Sequence, residues 1–246
     1  MNMSPLKVGQ EFLVTIKRIG INGEGIGYYK KQAVFIPGTL VGEEVVATCT
    51  RVAGGYAEAE LVRVKRKSKH RVQPACEVYG QCGGCQLQHM SYQEQLRIKR
   101  DAVSQAIERY TNLDPEECDI RPTIGMKDPY NYRNRAQMPV GYDEDGVMVG
   151  FYSMNSRELV NVTDCDVQYE EINTVINHAV DLLDDYKVFA YAPKTKKGTA
   201  RYIVVRRGFK TGEVQVTFVF ANNEFRKMNA LAKDLMKYCP DVKHVV

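Results

Sequence analysis

The chain has 246 residues, 44% hydrophobic and 26% charged, with a formal net charge of +4. That apolar fraction is ample for one to three packed domains and excludes a disordered chain. No run approaches the roughly 18 apolar residues of a membrane span, and residues 1–11 lack the apolar core of a secretory signal. A cytoplasmic monomer with no membrane partner is the expectation.

Short strands separated by glycines open the chain. In Val8 to Ile16, the residues Phe12, Val14 and Ile16 share a face by the period of two. Gly20, Gly23, Gly25 and Gly27 mark tight turns and close backbone approach. Ala33 to Ile36, Glu43 to Thr50 and Tyr56 to Val64 read as further strands, which together predict a small closed or nearly closed barrel. Gly23-Glu24-Gly25-Ile26-Gly27 lacks the strand–loop–helix setting and the following Lys-Ser/Thr of a phosphate loop.

Residues 1–62 hold six Lys/Arg and six Asp/Glu. The next nine residues hold six cations and no acid: Arg63, Lys65, Arg66, Lys67, Lys69 and Arg71. Such a run attracts a phosphate backbone in a salt-dependent way, although a solvated linker has the same composition.

Three of the seven cysteines then fall within ten residues, as Cys76-x5-Cys82-Gly83-Gly84-Cys85. The two glycines permit a turn tight enough to aim two thiolates at one centre. A fourth ligand can be His89, four residues on, or Cys165 in the polar turn Thr163-Asp164-Cys165-Asp166. The first choice gives a zinc site of three cysteines and one histidine. The second gives an all-cysteine set suited to a four-iron cluster or to zinc, and the chemistry alone leaves these open. An odd cysteine count without a signal argues against disulfides.

The run Cys-x5-Cys-Gly-Gly-Cys-x-Leu-Gln-His resembles the cluster loop of the RNA uracil-C5 methyltransferases, in the branch with an N-terminal TRAM domain that acts mostly on 23S ribosomal RNA. The resemblance implies a 4Fe-4S cluster on Cys76, Cys82, Cys85 and Cys165, with His89 outside the metal shell. It implies that about residues 6–66 form an oligonucleotide-binding-like TRAM barrel. The expected architecture is therefore mainly β with α: an N-terminal OB-like TRAM β-barrel, then an α+β central iron–sulfur domain. Domain bounds follow as 1–66 for the barrel, 67–74 for a basic linker, 75–90 for the cluster loop, 91–120 for a helical segment and 121–246 for the central RNA-binding domain.

Ser91-Tyr92-Gln93-Glu94 has the pattern of a capping box. Tyr92, Leu96, Val103, Ile107 and Tyr110 form a stripe at helical spacing up to about Tyr110. In the resembling family this region leans on the catalytic domain. Tyr132 to Val140 alternates, with Tyr132, Ala136, Met138 and Val140 on one face and Arg133, Arg135 and Gln137 on the other. Gly141 to Gly146 turns the chain, and Val147 to Tyr152 returns. Tyr169 to Asp185 reads as a helix, Arg201 to Gly208 and Gly212 to Phe220 as a hairpin, Glu224 to Tyr238 as a helix, and Val242 onwards as a strand. In the family, arginine-bearing strands of this part face RNA, which implicates Arg133, Arg135, Arg201 and Arg206. A planar guanidinium fork suits phosphate better than lysine does.

The catalytic cysteine, the base and the cofactor loop of such enzymes lie in a C-terminal Rossmann-like domain. No matching motif occurs here: Cys239 precedes Pro240 without the catalytic setting, and no Gly-x-Gly loop follows residue 150. The expectation is the RNA-recognition half of a longer enzyme, ending where the methyltransferase domain would start. S-adenosylmethionine would be bound only by the full-length enzyme, and no residue here is assigned to catalysis. The competing reading is a stand-alone RNA-binding module with structural zinc. A redox iron–sulfur protein is disfavoured, because no flavin motif or second cluster motif is present.

Overall fold

A computed structural model describes residues 5–246, apart from Asp145 and Asn155. The described chain divides into two compact units, residues 1–80 with 85–126 and residues 81–84 with 127–246.

The first unit is built on a closed five-stranded barrel of β1 (Glu11–Ile19), β2 (Gly25–Tyr29), β3 (Gln32–Ile36), β4 (Glu44–Val52) and β5 (Tyr56–Arg66), in the order β1-β2-β3-β5-β4. Alternate residues point inward, so Phe12, Val14, Ile16, Val34, Ile36, Val45, Ala47, Ala57 and Ala59 make one core. The parallel pairing of β3 with β5 completes the barrel. The strand β2 was not among those expected. Of the two roles read for its glycines, Gly27 serves close approach: a Cβ there would lie 2.8 Å from the Thr15 carbonyl oxygen across the β1–β2 pair.

Beyond Arg66 the chain turns back onto the barrel rather than running free. The buried Glu43 carboxylate accepts from Arg71 Nε at 2.6 Å, Arg71 Nη2 at 2.7 Å, Leu40 N at 3.0 Å and Ser68 N at 3.2 Å. Arg71 Nη2 also donates to the Gly38 carbonyl at 2.7 Å. Burial pushes the Glu43 carboxyl up, but Arg71 and the two backbone donors outweigh it and hold it below the usual carboxylate range.

The helix α1 (Tyr92–Tyr110) follows, and two of its expected features differ. Ser91 makes no side-chain cap, and its own amide donates to His70 O at 2.8 Å, while Glu94 turns to Arg97, with contacts of 2.6 and 2.8 Å, and lies 3.7 Å from His70 Nε2. The apolar stripe is only partly covered. The segment 120–126 runs back along the N-terminal half of α1, with Thr123 Oγ1 donating to Leu96 O and Met126 N to Tyr92 Oη, while Val103 and Tyr110 stay exposed.

The second unit is a six-stranded sheet in the order β11-β10-β9-β6-β7-β8, formed by β6 (Arg135–Asp143), β7 (Gly146–Tyr152), β8 (Leu159–Asn161), β9 (Ala200–Arg207), β10 (Val214–Phe220) and β11 (Val242–Val245). Helices α2 (Glu170–Asp185) and α3 (Met228–Tyr238) pack against each other, α2 on β7 and β9 and α3 on β11. Ile172, Ile176, Ala179 and Leu183 of α2 are buried, as their spacing predicts, with Ala136, Met138, Ile203, Val205, Val214 and Val216 supplying the sheet side of the core. His178 stacks on Tyr238 with ring centroids 5.7 Å apart, a packing role. The architecture is thus mainly β with few helices, a barrel followed by a second sheet.

Candidate nucleic-acid interface

Alternation places one set of residues of the second sheet in the core and the other set on the opposite face. The register then assembles a row that no local stretch contains. Arg135 on β6 pairs with Arg206 on β9, Arg206 with Gln215 on β10, and Gln215 with His244 on β11. Directly paired residues share a face, so these four side chains stand side by side across four strands, a span of about 14 Å at the ordinary strand spacing. All four are exposed. They line an open groove of about 490 Å³ together with Asn134, Arg207, Thr211 and the acidic Glu213. Arg135 Nη2 donates to Gln137 Oε1 at 2.6 Å, which steadies its fork along β6.

Two guanidinium groups, an amide and an imidazole in a line offer donors to phosphate and both donor and acceptor to a base edge. Neighbouring Arg207 has the opposite fate. Its guanidinium lies over the Tyr169 ring at 4.3 Å and donates to Glu171 Oε1 at 2.8 Å.

The other expected contact residues are distributed. Arg201 is exposed but rests on the Tyr191 ring at 4.8 Å. Arg133 precedes β6 and is half-buried; its backbone N donates to Val167 O at 2.8 Å and its carbonyl accepts from Tyr169 N at 3.1 Å. In the first unit Arg63, Lys65, Arg66, Lys67 and Lys69 are exposed along the end of β5 and beyond it. Arg71 is held by Glu43, so its fork is engaged within the barrel unit. Gln215 and His244 were absent from the sequence-based set. Only the strand register identifies them.

The cysteines fall as follows. Cys76 and Cys85 belong to the first unit, Cys82 and Cys165 to the second. Among the described residues, no group of three or more His, Cys, Asp or Glu side chains gathers into a set able to hold a metal. What is shaped is the surroundings. Gly83 N donates to Tyr152 O at 3.0 Å, Cys82 bridges to Ser153, and Gly84 N approaches Cys82 Sγ at 3.4 Å. The Cys165 turn is fastened to α2 by Asn173 Nδ2, at 2.7 Å from Asp164 Oδ1 and 3.3 Å from Cys165 O. His89 is buried, with Nδ1 2.6 Å from Tyr79 Oη, and burial pulls its pKa below the ordinary value. Tyr79 Oη also donates to Gln86 O at 2.9 Å.

Residues 5–62 match the family model of the TRAM domain. Along 99% of its length the chain is 46% identical to a protein of Bacillus cereus described as an uncharacterized RNA methyltransferase, covering 53% of that relative. A protein of Listeria monocytogenes with the same description is 44% identical over 247 residues, all of this chain and 54% of the relative. The chain spans about half the length of these curated relatives. Among solved structures, the tRNA (uracil-54, C5)-methyltransferase of Pyrococcus abyssi, in complex with S-adenosyl-L-homocysteine, has a similar fold. Its TM-score is 0.61 at 23% identity, over 92% of this chain and 48% of that one. The chain therefore couples a TRAM-matched barrel to a second sheet, in a sequence shared along nearly its whole length with RNA methyltransferases about twice as long.

Proposed function

We propose that this chain is the RNA-recognition part of an S-adenosylmethionine-dependent RNA methyltransferase that forms 5-methyluridine. The observation that carries the reading is the 46% identity, sustained over 99% of the chain, to a protein described as an RNA methyltransferase. The row Arg135, Arg206, Gln215 and His244 supplies a surface with the chemistry to hold RNA, and the exposed cations Arg63, Lys65, Arg66, Lys67 and Lys69 supply a second. Arg133 lies two residues before Arg135, Arg201 stands at the other end of β9 against Tyr191, and Arg71 acts by fixing the basic segment. The uracil-C5 class rests on the cysteine loop and on the name of the archaeal protein of similar fold. The loop favours 23S ribosomal RNA; transfer RNA is the substrate named for the archaeal protein.

The 246 residues are assigned no catalytic group, so methyl transfer needs parts found in the longer relatives. Binding of uridine-containing ribosomal and transfer RNA segments by this chain, alongside a methyl-transfer assay, tests both statements. Binding without turnover is expected. Turnover by these residues alone, or equal affinity for RNA and an uncharged polymer, would overturn the reading.

For the loop we propose a 4Fe-4S cluster on Cys76, Cys82, Cys85 and Cys165. The support is its spacing and all-sulfur donor set, which suits iron–sulfur ligation. When bound, the group would tie distant stretches of chain together. Iron and sulfide analysis of anaerobically isolated protein tests this; zinc without sulfide would favour a structural zinc module instead.

A further inference from the structure

Next to the groove on the second sheet stands an aromatic ring that the core does not use. Phe209 lies in the turn between β9 and β10 and is 73% exposed. Its neighbours Gly208 and Thr211 both line the groove. The turn is closed by its own bonds, Gly208 N to Glu213 O at 2.8 Å and Gly212 N to Gly208 O at 3.0 Å, with Gly212 at φ +74°. The ring is therefore presented on a braced turn beside the row of Arg206 and Gln215. Lys210, next to it, is exposed as well.

A braced, solvent-facing phenyl ring near two exposed arginines, Arg135 and Arg206, matches the requirements of single-stranded nucleic acid. The backbone needs positive charge, and unpaired bases need a flat apolar face. A duplex offers phosphates but hides its base faces, and this sheet presents no helix to enter a groove. We propose that the groove binds single-stranded RNA, with phosphates at Arg135 and Arg206 and one base stacked on Phe209. Gln215, with donor and acceptor on one amide, is placed to meet a base edge. This deepens the proposed function and rests on its statement that the chain binds RNA; what it adds is the form of the strand and the residue that stacks.

The chain has no tryptophan. Phe209→Trp thus places a lone indole on the turn as a direct reporter. Single-stranded oligouridylate is titrated against this variant, following indole fluorescence and, with a labelled oligomer, anisotropy. The fluorescence is expected to quench with the same midpoint as the anisotropy. Phe209→Ala is expected to weaken binding about tenfold at every salt concentration, as loss of one stacked base does, without changing the salt slope. Arg206→Ala is expected to lower that slope by about 0.7. A duplex of equal length is expected to bind more weakly. Unquenched fluorescence during binding, or Phe209→Ala binding like the parent, would overturn the stacking assignment while leaving RNA binding intact. Absence of binding to any RNA would overturn this proposal together with the reading beneath it.

Discussion

Arg71→Ala is the sharpest perturbation of the first unit. The variant leaves Glu43 with no exposed surface and without its guanidinium. Two of the four hydrogen bonds on that carboxylate come from Arg71, and the Leu40 and Ser68 amides keep the other two. Breaking a buried ion pair by removing one partner costs about 3–5 kcal/mol. The surviving amides place the expectation near the lower end, about 3 kcal/mol, a large share of the roughly 5–15 kcal/mol available to a domain. The pH dependence follows from the direction of the shift. In the parent, Glu43 lies below its ordinary value, so its contribution is complete above that value and fades as pH falls through the depressed one. In the variant, burial acts with less opposition and the carboxyl moves up. Protonation then relieves the defect, and the gap between the two proteins narrows as pH falls. Hydrogen exchange of amides in residues 32–72 is the suitable assay, because a two-unit chain need not unfold in one transition. Protection within about 0.5 kcal/mol of the parent would refute the reasoning, as would a gap independent of pH.

Other substitutions probe separate parts. Glu94→Ala removes the buried acceptor at the start of α1 that binds Arg97, and a loss of about 1–2 kcal/mol is expected in exchange of the helix amides. Gly83→Ala places a Cβ 2.9 Å from the Tyr152 carbonyl oxygen, a backbone atom that cannot step aside, so the Gly83 amide is expected to exchange faster and the unit to melt lower. Cys165→Ser is expected to abolish iron retention in anaerobically prepared protein, measured as iron and sulfide per chain; full iron content in the variant would remove Cys165 from the ligand set.

The parts of the fold legible in the sequence are those whose signal is local. The alternation of Phe12, Val14 and Ile16, the hairpin of β9 and β10, and the stripe of Ile172, Ile176, Ala179 and Leu183 each sit where their spacing puts them. β2 was hidden because glycine signals both a turn and a close approach, and Thr15 lies across the pair. The capping box failed because Glu94 had better partners in Arg97 and His70, one of them 24 residues away. The cross-strand row was half legible. Arg135 and Arg206 stand on alternating strands and could be named. Gln215 and His244 join them only through register, as does the separation of Arg206 from Arg207 onto opposite faces. Arg71 is one of six cations in a basic run, and nothing in that run distinguishes the one that pairs with Glu43.

The cross-strand row is the surface through which the chain is proposed to hold RNA. Its most direct test is the salt dependence of single-stranded RNA binding by this chain and by its Arg135→Ala/Arg206→Ala variant. Two lost phosphate contacts should reduce the slope of log affinity against log salt by about 1.4, with a weaker complex at low salt. An unchanged slope with unchanged affinity would place the RNA elsewhere and contradict the account.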